Sequence, residues 1–549
     1  MRPFRFPFRT LFAGSSLAFA LALPGAAGAE RIKAWVTLRD KGPAAASLSG
    51  RALEDAPVSA AYLDALRASG FEVSVALKWQ NKVSGWLDDS RVSVLRALPF
   101  VSTVEEMPRK ASDSSFGPAF PPSPALPRRA ASAKGAKVSA QDFGAFQPAF
   151  EAVGAVVLRD TVAGRGLAPG AGIRVAVMDD GFHLGHKAFD SLFARGAIID
   201  QWDFVGDTAV SVDRSFGDSH GASTLSQIAG DLPGVLQGLA PRATFLLYRT
   251  EDEDHEGYVE EDYLAAALER AADSGAQVAS ISLSYRYDFD TEAYFPYAQM
   301  NGRTRPSSIA ALGAARRGVL VVSSIGNEGA KRYGEPTLTA PSDADSILAV
   351  GILDASGTRC GYSSTGPSYD GRIKPDLSSF GCSVPVANPS TSTGVYNESG
   401  TSFAAPVVAG VAILLRQLYP ESSGVFSSQH IRLALMATAA RASSPDNQTG
   451  NGRLNAAAAE RTLKWSVPPA SLAAAPRSVK GALLWRSGSV ASLPWTKGLD
   501  LSGARVWDVR GRGVPTRAET SSITGGTDLL PSRIEGTGIY VLKIPLSKP

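Results

Sequence analysis

The sequence predicts an α/β fold, a parallel sheet flanked by helices, with a smaller unit on either side of it. Three observations carry that prediction. Short apolar runs at residues 174–179, 244–248, 278–283 and in the 320s alternate with helical patterns at 260–274 and 307–317, the rhythm of strands joined by crossover helices. The first run closes on Asp179 and a turn at Gly181, the kind of C-terminal strand edge where open α/β sheets collect their functional groups. Residues 407–415 form an unbroken apolar stretch that suits only a helix inside a domain.

Taken from the start, Arg2, Arg5 and Arg9 precede an apolar stretch at 11–23, then Pro24 and Ala27-Gly28-Ala29. That is the layout of an export signal cleaved after Ala29, so residues 1–29 are expected to be removed and the protein secreted, to the medium or the cell surface. The apolar part is too short to span a bilayer, and no membrane span is expected elsewhere. Residues 30–110 read as a compact α+β module, with strands at 32–38, 72–76 and 100–104 and helices at 59–69 and 90–97. Residues 111–144 are a Pro/Ala/Ser-rich linker in which Arg128, Arg129 and Lys134 are candidate maturation points. The main domain is placed at 145–465, a second linker at 466–480, and a small β-sandwich domain at 481–549 with strands at 482–486, 504–509 and 538–544.

The composition is that of an ordinary globular chain: 549 residues, 44% hydrophobic, 19% charged, net charge +3. Basic residues are scattered, without zinc-finger spacing or aromatic interleaving, which argues against nucleic acid as a partner. Two cysteines, Cys360 and Cys382, are too few for a disulfide scaffold or a thiolate metal site; they are read equally as a pair or as two buried thiols.

The chemistry is carried by separated motifs. Asn397-Glu398-Ser399-Gly400-Thr401-Ser402 opens the apolar helix with a serine among small residues, where substrate backbone can approach and the helix dipole favours developing negative charge. Such a sequence is also an ordinary helix cap, so it needs a base and an orienter. Asp179 ends the first strand, and His220 stands in Gly217-Asp218-Ser219-His220-Gly221 at a loop-to-helix start. The chain order is Asp, His, Ser. On these residues the sequence resembles the subtilisin-like serine proteases over about residues 145–460. A fourth segment, Ser323-Ser324-Ile325-Gly326-Asn327-Glu328-Gly329, is similar to the family strand whose asparagine donates to an oxyanion.

The resemblance implies Asp179, His220 and Ser402 as catalytic triad and Asn327 as oxyanion donor. It implies Ser282, Leu283, Ser284 and Gly326 as substrate-binding positions. Ser284 stands where the family has glycine, which implies a narrower pocket or a twisted strand. Polypeptides would be the substrates, the 30–110 module a propeptide that blocks the cleft until removed, and the protein a monomer. No organic cofactor is required, and calcium is a candidate ion without an assigned site. Asp508-Val509-Arg510-Gly511-Arg512 and the run from Gly536 to Ile544 resemble the sorting domains of bacteria using the type nine secretion route; a plain stabilising β domain is an equal reading.

Other features have blander expectations. Asp180 puts a second carboxylate after Asp179, and strand alternation predicts that only Asp179 faces His220. Ala222 and Ser223 replace residues common in the family. His183 and His186 lack an evident third metal ligand. The acidic run Glu251-Asp252-Glu253-Asp254 beside His255 is expected to be a solvated face, His430 a surface residue, and the acceptor motifs at Asn397 and Asn447 coincidental. Two rival readings remain: a subtilisin-fold binding protein without turnover, and an α/β-hydrolase, which the lack of Gly-x-Ser-x-Gly around Ser402 opposes.

Overall fold

A computed structural model describes residues 31–107 and 142–466, with breaks at 218, 253–254, 288, 290–292, 330–333 and 422–426, and the backbone of strands between 482 and 543. The signal segment and most of both linkers lie outside the described residues.

In the N-terminal unit, strands β1 (Arg31–Leu38), β2 (Glu72–Leu77), β3 (Lys82–Asp88) and β4 (Val101–Glu106) form an antiparallel sheet in the order β2-β3-β1-β4. Helices α1 (Ala60–Ala68) and α2 (Val92–Arg96) close a core of Val36, Leu66, Phe71, Val83 and Leu95. Strand β3 departs from the sequence reading, which has no strand there. Gly85 breaks its apolar pattern, yet glycine is required: a Cβ would stand 2.2 Å from the Glu72 carbonyl oxygen and 2.9 Å from the Phe71 ring.

The main domain is built on seven parallel strands: β5 (Arg174–Asp179), β6 (Ile198–Asp203), β7 (Thr244–Arg249), β8 (Val278–Ile281), β9 (Leu320–Ser324), β10 (Leu348–Leu353) and β11 (Leu377–Phe380). Their order is β11-β10-β9-β8-β5-β7-β6. From β5 the chain runs outward to the β6 edge, returns to β7, and then crosses to β8 on the other side of β5. The winding direction therefore reverses around β5, and Asp179 sits at its C-terminal end, the position such reversals open as a crevice.

Strand alternation divides the core in two. Val175 and Val177 face one side, with helix α3 (His220–Ala229) and helix α6 (Thr401–Leu418); Ala176 and Met178 face the other, with α4 (Tyr258–Asp273) and α5 (Pro306–Arg316). Helix α6 packs beneath β8, β9, β10 and β11 and against α3, and every residue in it except Gln417 is buried. By length and composition alone it could cross a membrane, but 94% of it is buried as the core of the domain. Helix α7 (Ser428–Thr438) follows it.

Cys360 and Cys382 form a disulfide, with Cα atoms 6.6 Å apart. The strands at Ala482–Ser487, Arg505–Asp508, Gly513–Val514 and Gly538–Lys543 pair into one antiparallel sheet, and Thr516–Thr520 pairs with Thr527–Pro531.

Candidate active site

Strand β5 delivers Asp179 fully buried, and α3 begins at His220. The imidazole Nδ1 lies 2.6 Å from Asp179 Oδ1. The second carboxylate oxygen accepts from the Thr224 hydroxyl at 2.9 Å. Thr224 is four residues after His220 and so lies on the same face of α3, one turn along. The sequence reading passed over Thr224; the i, i+4 spacing from the histidine is the signal that finds it. Gly221 permits this close approach of strand and helix, since a Cβ there would come within 2.3 Å of the Gly181 carbonyl oxygen and 2.8 Å of Asp179 Cβ.

Asp180 does not turn away. Strand β5 ends at Asp179, and the chain turns at Gly181 with φ 129°, so the alternation that predicts opposite faces has already stopped. The Asp180 carboxylate accepts the backbone N–H of His220 at 2.8 Å and of Gly221 at 2.7 Å. Burial, reinforced by the neighbouring Asp179 carboxylate, pushes its pKa up to about 8.

Ser402 occupies the second position of α6, where helix geometry leaves the N–H without an intrahelical acceptor. Its Oγ donates to the Ser282 carbonyl at 3.0 Å, and Ser282 Oγ donates back to the Ser402 carbonyl at 2.8 Å. The His220 ring stands edge-on to Phe403, with centroids 5.3 Å apart, which puts the imidazole over the first turn of α6. Asn327 Oδ1 accepts from the Thr401 N–H at 2.9 Å and the Thr401 hydroxyl at 3.0 Å. That pairing assigns the amide orientation and turns Nδ2 towards Gly400, 3.6 Å from where a Cβ would stand.

The remaining predicted positions flank this cluster. Ser282 and Leu283 continue past the end of β8; Leu283 is buried, and its carbonyl accepts from Ser324 Oγ at 3.0 Å. Ser284 is exposed, and pairing resumes at Tyr285, which bridges Ala340. Gly326 has φ 101° and lies against Thr339 and Ser364, a conformation that side-chain-bearing residues rarely adopt.

Three of the other histidines are engaged by the fold, while His255 is exposed beside Asp252. His186 is buried, accepts the Ala188 N–H at its Nδ1, and lies with Nε2 3.1 Å from the Gly394 carbonyl oxygen. His183 pairs with Asp213 and Ser215. His430 is half-buried rather than superficial, because its Nδ1 caps the Ser427 N–H at the start of α7, and burial lowers its pKa. In the acidic run Glu253 and Asp254 lie outside the described residues, and Glu251 departs from the solvated face expected. Glu251 is buried against Tyr285 and Thr250, and Glu251, Glu256 and Glu260 bring carboxylate oxygens within 4.8 Å of one another. Burial pushes Glu260 up to about 8 and Glu251 upward as well. An all-oxygen donor set of this kind suits a hard cation.

The Subtilase family of peptidases matches residues 170–452, and the peptidase S8 propeptide domain of Bacteroidota matches residues 45–117. Subtilisin BL from Lederbergia lenta is 30% identical over 300 residues, 54% of this chain and 93% of that protein. The membrane-bound transcription factor site-1 protease of Mus musculus is 28% identical over 312 residues, 55% of this chain and 26% of that protein. A solved protease domain of PatA aligns with a TM-score of 0.42 at 26% identity, covering 55% of this chain and 98% of that one.

Proposed function

Because the chain belongs to the subtilase family and is a subtilisin-like serine protease, we propose that it is an endopeptidase working through Asp179, His220 and Ser402 with an acyl-enzyme intermediate. The observation that carries the reading is the convergence of three separate chain segments: the Asp179–His220 bond at 2.6 Å, the imidazole over the first turn of α6, and Ser402 in that turn.

Asp179 accepts a hydrogen bond from the Nδ1–H of His220, which holds that tautomer and leaves Nε2 as the base. As substrate enters, the Ser402 hydroxyl leaves the Ser282 carbonyl, gives its proton to His220 and attacks the peptide carbonyl. The tetrahedral oxyanion is held by the Ser402 N–H and Asn327 Nδ2, a contact worth about 3 kcal/mol where the equivalent side chain has been removed from subtilisin. The imidazolium then protonates the leaving amine, and water releases the acyl group by the reverse path. Extended substrate would lie along residues 282–284 and beside Gly326.

The matched propeptide domain supports an N-terminal unit that inhibits until cleaved, and the Arg-rich, apolar N-terminus supports export. The C-terminal sheets are consistent with a sorting or stabilising module. Glu251, Glu256 and Glu260 would hold calcium behind Tyr285, as a brace rather than a participant in the chemistry.

Labelling with a serine-directed fluorophosphonate tests the reading. Wild type should label and mature to a smaller band; Ser402→Ala should lose labelling, lose turnover by about a millionfold, and persist as precursor. A folded wild-type protein that does not label overturns the endopeptidase reading in favour of a binding protein.

A further inference from the structure

We propose that Asp180 is a positioning residue for this reaction, one that fixes the helix carrying His220 and ties the ionisation of the Asp179–His220 pair to its own. The proposal rests on the Asp179, His220, Ser402 reading and extends it.

The geometry is specific. Both Asp180 oxygens are engaged, Oδ2 by the His220 N–H at 2.8 Å and Oδ1 by the Gly221 N–H at 2.7 Å. These are the first two amides of α3, which have no acceptor within the helix. The third, that of Ala222, goes to Ser219 Oγ at 3.2 Å. The backbone of Asp180 is held as well: its N–H donates to Asp179 Oδ1 at 3.1 Å, and its carbonyl accepts from Arg249 Nε at 3.0 Å. One residue therefore touches the aspartate that orients the imidazole and the main chain that carries it. A serine in its place supplies a single acceptor and no charge. The aspartate supplies two acceptors and a charge aimed at a helix N-terminus.

That charge stands beside a second carboxylate and an imidazole. The groups around it are Asp179 on β5, His220 on α3, and Arg249 on β7, whose guanidinium also reaches Asp203 and Asp252. His183, paired with Asp213, lies beyond Gly181. Burial and the neighbouring Asp179 carboxylate push the Asp180 pKa up to about 8, far above the usual carboxylate range. Ionised, it holds both amides and favours the imidazolium that forms as Ser402 attacks. Protonated, it loses an acceptor and that support. The acid limb of the reaction then reports two coupled protons.

The test is the pH dependence of kcat/KM on a neutral peptide and of fluorophosphonate labelling, between pH 5 and 10. Mature wild type is compared with Asp180→Asn and Asp180→Ser, each normalised by active-site titration and checked by thermal melt. Both variants should move the acid limb to lower pH by about one unit and flatten it, because a negative neighbour and a titrating partner are both removed. The plateau of kcat should fall by several-fold with KM little changed. A lower plateau with an unmoved limb would show a plain helix cap and overturn the proposal, as would unchanged profiles. Asp180→Ser keeps one acceptor, so a misfolded Asp180→Asn still leaves a readable variant. Wild type that labels, and loses labelling in Ser402→Ala, with no limb shift, overturns this proposal alone; wild type that never labels overturns the triad reading beneath it.

Discussion

At the residue scale, Asn327 separates binding from catalysis most cleanly. Its Oδ1 is held by two groups of Thr401, so the amide needs no reorganisation when charge develops at the oxyanion position. Asn327→Ala should lower kcat by about a hundredfold to a thousandfold with KM nearly unchanged, since the contact is made only in the transition state. A matched rise in KM would instead show that Asn327 binds ground-state substrate. Thr401→Val, which removes the hydroxyl anchor and leaves the backbone N–H to hold the amide, should lose less, about tenfold or below, through orientation alone. The residues of this cluster were legible because each sits on a local signal: Asp179 closes an apolar run, His220 and Ser402 open helices among small residues. Thr224 carries no such signal, and Asp180 is expected from strand alternation to point away from His220. Thr224's hydroxyl matters through a contact to another element, and the direction of Asp180 depends on whether the strand ends at residue 179 or 180, a one-residue boundary that pattern does not fix.

At the element scale, legibility follows how much of an element's pattern its own chain carries. Buried strands such as β5 and β9 are continuous apolar runs and were read directly. The edge strand β6 is mostly half-exposed, and its Asp200 serves Arg270 and Tyr248, so its sequence carries no period to find. Strand β3 was hidden by Gly85, whose missing side chain is dictated by the neighbouring backbone. Helix α6 shows the opposite case, an apolar helix whose position under the sheet follows from composition alone. Its fit is close: at Gly410 a Cβ would stand 2.8 Å from Leu239 Cβ and Cδ1. Gly410→Ala should therefore destabilise the domain despite the better helix propensity of alanine. Overpacking costs about 1–3 kcal/mol against a gain of about 1 kcal/mol. An apparent Tm lowered by a few degrees in the Ser402→Ala background would bear this out, whereas a raised Tm would show that α6 can shift away from Leu239.

At the scale of the whole molecule, the N-terminal unit is joined to the protease through its sheet and through α4 and α5. Trp35, Val75 and Leu77 enter the core that contains Leu264 and Ala311. The Trp35 indole donates to Asp262 at 2.8 Å, and Lys33 pairs with the same buried carboxylate at 3.2 Å. Trp79 lies over Gly313 beneath the Arg317 guanidinium, which also binds Asp55 at 2.6 Å. None of this pairing was legible from either unit alone, because each half of the contact looks like an ordinary surface. One contact titrates near neutral pH. Glu269 on α4 accepts the backbone N–H groups of Lys78 and Trp79 at 2.9 and 2.8 Å, and burial pushes its pKa up to about 7. A carboxyl whose pKa is raised in the folded state binds its proton more tightly there, so its contribution is complete below about pH 4.5 and is lost as pH rises through about 7. The uncleaved Ser402→Ala precursor should accordingly lose stability between pH 5 and 7.5, and the added Glu269→Gln should flatten that slope while keeping one acceptor for the two amides. Denaturant midpoints of the two proteins across that range decide it: parallel curves would mean that Glu269 does not carry the dependence. A flattened slope would mean that rising pH, by deprotonating one buried carboxyl, loosens the propeptide from the enzyme it covers.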